Sequence, residues 1–195
     1  MKRLALLILL AALPAFAQSN AISLSLLQPQ FSSGSVSLDG DRVGVKMQSR
    51  TGFGAGFTHR FANDWSVTID ARQLRAPGTA QFSPSARVGT FDLKPLAALV
   101  HYNVGNVFIG AGIADVMTGD LRSSDLEAMG IGKVSLSDDV TYVIDGGFAL
   151  PIRGPVGVAI EARYMPVNVK ARAQSQSATL KFNALTLGAA LRWKF

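Results

Sequence analysis

The sequence predicts an all-β protein, an eight-stranded antiparallel up-and-down transmembrane β-barrel, from three features of the chain. The first is its end. Along Leu180 to Phe195, Phe195, Trp193, Leu191, Ala189, Leu187 and Leu185 fall on one face, and Lys194, Arg192, Ala190, Gly188, Thr186 and Ala184 on the other. An edge strand of a soluble sandwich or lipocalin-like barrel shows the same alternation, but here the apolar face runs to the last residue and closes in Trp and Phe, the rings favoured at a membrane interface. The second feature is the start, where Lys2 and Arg3 precede an apolar run from Leu4 to Leu13, then Pro14 and the small-x-small site Ala15, Phe16, Ala17. That run is shorter than the roughly 20 residues of a spanning helix, so residues 1–17 are expected to be a cleaved signal and 18–195 a single barrel domain in the outer membrane of a Gram-negative type of bacterium. The third is length: the remaining 178 residues hold eight strands of about 10 residues with their turns, and not sixteen.

Charge and composition exclude several classes. Without residues 1–17 the chain has 17 basic against 13 acidic side chains, and the basic ones occur singly, so no nucleic-acid partner is expected and the anionic outer leaflet is the surface that this charge suits. The absence of cysteine rules out disulfides, cysteine-ligated metals and thiol catalysis. No stretch after the signal approaches 18 consecutive apolar residues, which excludes helical spans.

The elements follow in order. Asn20 to Leu27 alternates as a first strand, and 28–48, rich in Ser, Gly and Asp, reads as a long loop. Strand two, Ser49 to Phe61, sets Phe53, Ala55, Phe57 and Phe61 outward and Gly52, Gly54, Gly56, Thr58 and Arg60 inward, glycines suiting a narrow lumen. A tight turn at Ala62, Asn63 and Asp64 leads into strand three at Trp65, with Val67, Ile69 and Ala71 outward and Ser66, Thr68, Asp70 and Arg72 inward. Residues 76–89 read as a second long loop. Strand four, Thr90 to Tyr102, is apolar on both faces from Leu96 to Val100, so Asp92 and Lys94 are used to set its inward face. A turn at Val104 to Asn106 leads into strand five, Val107 to Val116, and 117–137 is a third loop in which Ser124 and Glu127 are spaced as a capping box. Strand six, Asp138 to Leu150, faces Val140, Tyr142, Ile144 and Phe148 outward and Thr141, Asp145, Gly147 and Ala149 inward. After a turn at Pro151 to Pro155, strand seven runs from Val156 to about Arg172 with Gly157, Ala159, Glu161, Arg163 and Met165 inward, and 173–178 is a short fourth loop. Short turns beside aromatic residues mark the periplasmic side.

In order and spacing, FDLKP, LAALVHY, VFIGAGIADV, SLSDDVTYVIDGGF, ARYMPVNVKARA and LRWKF resemble the OmpW/AlkL family of eight-stranded outer-membrane barrels. The resemblance implies passive uptake of small hydrophobic molecules that enter at the extracellular mouth and leave sideways into the outer leaflet, over a lumen closed below. It also implies recognition of the C-terminal strand, with its final Phe195, by the barrel assembly machinery. Two positions depart from the family pattern: Asp70 and Arg163 stand where apolar or aromatic residues narrow the lumen.

The inward charges Arg60, Asp70, Arg72, Asp145, Glu161, Arg163 and Arg192 form a candidate lumen network, since charges buried in so small a barrel must be paired. Strands three and seven face each other in an eight-strand ring, so Asp70 and Arg163 are expected to meet. Trp65, Trp193 and Phe195 are the candidate membrane-interface anchors. By alternation, His59 of strand two and His101 of strand four fall on the lipid-facing side near strand ends, in no motif with Ser, so neither a lipid-modifying barrel enzyme nor a metal site is expected. No cofactor is implied. A structural or adhesive barrel acting through its loops is the alternative to transport; adhesive loops would be long and aromatic-rich, whereas Phe31 and Phe82 are the only aromatics assigned to loops.

Overall fold

A computed structural model describes residues 19–38, 41–61, 64–81, 86–128, 130, 133–173 and 176–195; the expected signal, residues 1–17, lies outside them. The strands are β1 (Ser19–Phe31), β2 (Gly34–Leu38), β3 (Asp41–Met47), β4 (Arg50–Arg60), β5 (Trp65–Ala80), β6 (Ala86–Val104), β7 (Val107–Thr118), β8 (Ser135–Leu136), β9 (Asp139–Arg153), β10 (Val156–Ala173) and β11 (Gln176–Lys194). Every pairing is antiparallel, and the order β1-β4-β5-β6-β7-β9-β10-β11 returns to β1 through a ladder from Ala21↔Lys194 to Phe31↔Ala184. Eight long strands thus close a ring without a free edge. Both ends of the described chain meet at the short-turn end, where Asn20 and Phe195 exchange backbone hydrogen bonds of 2.9 and 3.0 Å.

Three expected loops are largely strand. β5 runs on to Ala80 and β6 starts at Ala86, pairing to the last residue of each; β10 and β11 pair up to Ala173↔Gln176; and 28–48 holds the end of β1 and the β2–β3 hairpin. Ser, Gly and Pro in these stretches read locally as turns. In a ring, however, each strand is paired on both sides, so ladders propagate past weak local propensity. The capping turn does form, at Ser124–Ala128, but its cap is Ser123, whose Oγ accepts from Leu126 N at 3.1 Å.

The wall separates two environments. Ile22, Leu24, Leu26, Phe53, Ile109, Ile113, Tyr142, Ile144, Ile160, Leu187 and Leu191 point out, each 45 to 63 % exposed, and form a continuous apolar belt far larger than a water-soluble protein leaves uncovered. That belt is the lipid face of a membrane-spanning barrel. Inside, Leu74, Phe91, Leu93, Leu99, Val116, Val143, Met165, Val167 and Phe182 are buried together in the long-loop half. The phase of β6 is the reverse of the expectation: Leu93, Ala97, Leu99 and His101 face the lumen, and Lys94, Val100 and Tyr102 face out. With apolar residues on both faces, alternation carries no phase information there. The Leu74↔Leu93 and Asp70↔Ala97 pairings decide it. Lys94 and Asp92 stand above the belt, where an outward charge meets water.

Candidate functional site

The inward charges gather at mid-barrel. Arg163 on β10 donates through Nη1 to Asp70 Oδ1 at 2.9 Å and through Nη2 to Asp70 Oδ2 at 2.7 Å, a two-pronged contact across the lumen to β5. The same Nη2 reaches Asp145 Oδ2 on β9 at 2.9 Å. Arg72 Nη2 donates to Asp70 Oδ2 at 3.1 Å and stands 2.6 Å from Glu161 Oε1. That second contact is an ion pair without hydrogen-bond alignment, since Glu161 Oε1 has no hydrogen-bond partner. Planar guanidinium forks on carboxylates are the strongest neutralisers available to a dry lumen.

His101, expected on the lipid side, belongs to this network. Its Nε2 lies 2.9 Å from Asp145 Oδ1 and its Nδ1 3.3 Å from Thr68 Oγ1, which is itself 2.9 Å from Thr58 Oγ1. The order hydroxyl, imidazole, carboxylate is that of a hydrolase triad, but Asp145 is held by Arg163 and Thr68 by Thr58, so these contacts tie five strands together. Gly110 makes room for it, since a Cβ there would overlap the His101 ring and come within 2.8 Å of Asp145 Oδ1. His59 does point outward, but it is 1 % exposed, bonded to Asn20 Oδ1 at 2.9 Å and packed edge-on against Phe61.

Of the seven charges read from the sequence, Asp70, Arg72, Asp145, Glu161 and Arg163 touch one another. Arg60 instead turns to Asp64 in the adjoining turn, at 3.3 Å. Arg192 makes no ion pair among the described residues and lines two cavities. One, of about 50 Å³, lies against the network beside Ser23, Thr58 and Arg72; the other, of about 120 Å³, opens toward the short-turn end between Arg60, Asn103 and Lys194. Arg72 Nε and Nη1 and Arg163 Nε have no protein partner, and a polar cavity of this size has room for the water that satisfies such donors. Trp65, Trp193 and Phe195 lie at the short-turn end, 48, 56 and 62 % exposed, with the Trp65 ring tilted against that of Tyr102 at 5.1 Å.

The uppermost member of the network on each of four strands has an apolar neighbour one inward step toward the long-loop end: Arg163 has Met165, Arg72 has Leu74, Asp145 has Val143 and His101 has Leu99, all buried. Met165, Leu74, Val143 and Leu99 therefore form an apolar storey above a charged floor.

The wall beside that apolar storey is interrupted. The β1–β4 ladder ends at Leu27↔Gly52 and the β2–β3 ladder resumes at Gly34↔Val45 in the same register. Between them, residues 28–33 and 46–51 carry no mutual pairing, although β1 continues along β11 to Phe31 and β3 along β5 to Met47. Pro29, lacking an N–H, stands in this stretch. The result is a break in the hydrogen-bonded ladder, a slot without backbone pairing at the upper rim of the belt, where Gln30 pairs with lipid-facing Leu185.

No family model and no curated protein matches the chain. Solved structures do. The outer membrane protein OprG from Pseudomonas aeruginosa is similar with a TM-score of 0.78 at 18% identity, over 92% of this chain and 97% of that one. Outer membrane protein AlkL, solved in DMPC lipid bilayers, gives 0.68 at 14% identity, over 93% and 92%. Neisserial surface protein A gives 0.57 at 11% identity, over 90% and 97%. At these identities the likeness is one of fold, the integral outer-membrane barrel. In that fold the short-turn end is periplasmic and the long-loop end extracellular.

Proposed function

We propose that the protein is a non-catalytic outer-membrane barrel for passive uptake of small hydrophobic molecules, which enter from the extracellular mouth and leave through the slot into the outer leaflet. One observation carries this reading: the unpaired slot in the ladder lies beside an apolar storey that rests on the Asp70–Arg163 floor. An apolar solute loses its favourable environment if it descends among charges, whereas a sideways step at the rim of the belt returns it to hydrocarbon. The axial route costs more, so the lateral one wins.

Uptake by cells carrying the protein, measured for matched apolar and polar solutes, tests the reading. Native cysteines are absent, so Gln30→Cys with Ser49→Cys, whose positions would pair if the ladder were continuous, can staple the slot. Apolar uptake is expected to stop on oxidation and return on reduction. Equal uptake with the slot stapled would contradict lateral exit, and no gain for any solute would favour a barrel that acts through its loops.

A further inference from the structure

Above the lipid belt, three cations crowd one patch of the outer wall. Arg50 and Arg75 are opposed residues of the β4–β5 ladder, and Arg75 opposes Asp92 in the next ladder. Opposed residues share a face, with Cβ atoms about 4.5–5.5 Å apart, and like charges so placed repel. Asp92 serves two of the cations, with Arg75 Nε at 3.9 Å and Lys94 Nζ at 3.4 Å, while Gln73 Nε2 donates to its Oδ1 at 3.3 Å. Arg50 has no ion pair or hydrogen bond from its side chain among the described residues. Three positive charges against one negative leave an excess of two, on side chains of Arg75 and Lys94 that are 57 and 54 % exposed. Directly below, Phe53 is 60 % exposed and opposes Gln73, so the patch sits on the upper border of the hydrocarbon layer.

We propose that Arg50, Arg75 and Lys94 hold a phosphate group of an outer-leaflet lipid. A phosphate ester brings the missing negative charge and several acceptor oxygens, matched to two guanidinium forks and an ammonium. A lipid is favoured over free phosphate because exposed, screened cations alone bind weakly, and the acyl chains of a lipid lie along Phe53 and the belt while its phosphate is held above. Arg50 belongs to the unpaired edge 46–51, so the bound lipid stands at the lip of the slot. The inference rests on the charge pattern and the belt, and it holds whether or not solutes pass through the slot.

The test uses the barrel inserted in phosphatidylcholine vesicles containing a bisphosphorylated glucosamine glycolipid, with the glycolipid retained per barrel counted by mass spectrometry after mild detergent extraction. Arg50→Gln, Arg75→Gln and Lys94→Gln together should lower retention at least about tenfold, the effect of roughly 1.4 kcal/mol. Lys170→Gln, Arg172→Gln and Lys181→Gln, which remove three exposed cations from β10 and β11, should leave retention unchanged. Heat-modifiable migration checks folding, and Lys94→Gln alone, expected to lose about threefold, replaces the triple variant if that fails to fold. Equal losses in the two triple sets, unchanged retention in the first, equal retention of the dephosphorylated glycolipid, or complete displacement by millimolar inorganic phosphate would each overturn the proposal.

Discussion

Arg163 crosses the lumen from β10 and grips Asp70 of β5 with both terminal nitrogens, at 2.9 and 2.7 Å, between residues 93 positions apart in sequence. The two strands lie four places apart in the ring, so this contact spans the barrel instead of running along its wall. A pair with side chains only 5 and 8 % exposed has given up its hydration, and each member depends on the other to offset that loss.

Asp70→Ala leaves Arg163 with Asp145 and Arg72 with Glu161, one carboxylate short. The expected cost is roughly 3 to 5 kcal/mol, less where water from the adjoining cavity reaches the arginines. Asp70→Leu combined with Arg163→Met removes both charges and should recover most of the loss. Urea unfolding in lipid vesicles measures both, and a double variant no more stable than Asp70→Ala would show that the pair is not the unit of stability.

The same pair is expected to close the axis to ions. In planar bilayers the unmodified barrel should conduct little, and cutting Asp70 and Arg163 both to Ala should produce a steady conductance. Large, steady conductance before any change would mean that the axis is open past the charged floor.

Gly110 stands against the His101 and Asp145 side chains with no space for a methyl group. Gly110→Ala should therefore push His101 off Asp145 and cost about 1 to 3 kcal/mol, the usual range for overpacking a filled site. Gly105, in the turn between β6 and β7, has nothing within reach of an added Cβ but a φ of +59°, so Gly105→Ala acts through backbone strain instead. Nuclear magnetic resonance of the His101 ring separates the two variants, since only Gly110→Ala should shift its signals.

Phe195 and Asn20 close the ring by two backbone bonds at its periplasmic edge, and the ring of Phe195 packs outward. Its deletion is expected to lower the amount assembled in the membrane far more than the unfolding midpoint of the barrel that does assemble. Normal membrane levels of the deletion would argue against a role in assembly.

Much of this molecule is legible in the order of its residues. A barrel wall one residue thick assigns every side chain to lipid or lumen by parity, so Ile160, Ala162 and Tyr164 could be read outward and Glu161 and Arg163 inward from β10 alone. Counting strands then set Asp70 opposite Arg163. Parity needs contrast, however, and from Leu96 to Val100 both faces are apolar; only the neighbouring β5, through Leu74↔Leu93, turned His101 into the lumen and made it the partner of Asp145. The pull of Asp64 on Arg60, the ladders that carry β5 and β10 beyond the membrane, and the gap between residues 28–33 and 46–51 were likewise decided in three dimensions. The physical reason is the range of the forces involved. Alternation records the partition of each side chain between hydrocarbon and interior, a property of the residue itself, whereas phase, strand length and the slot depend on which backbone groups of distant strands find each other when the ring closes.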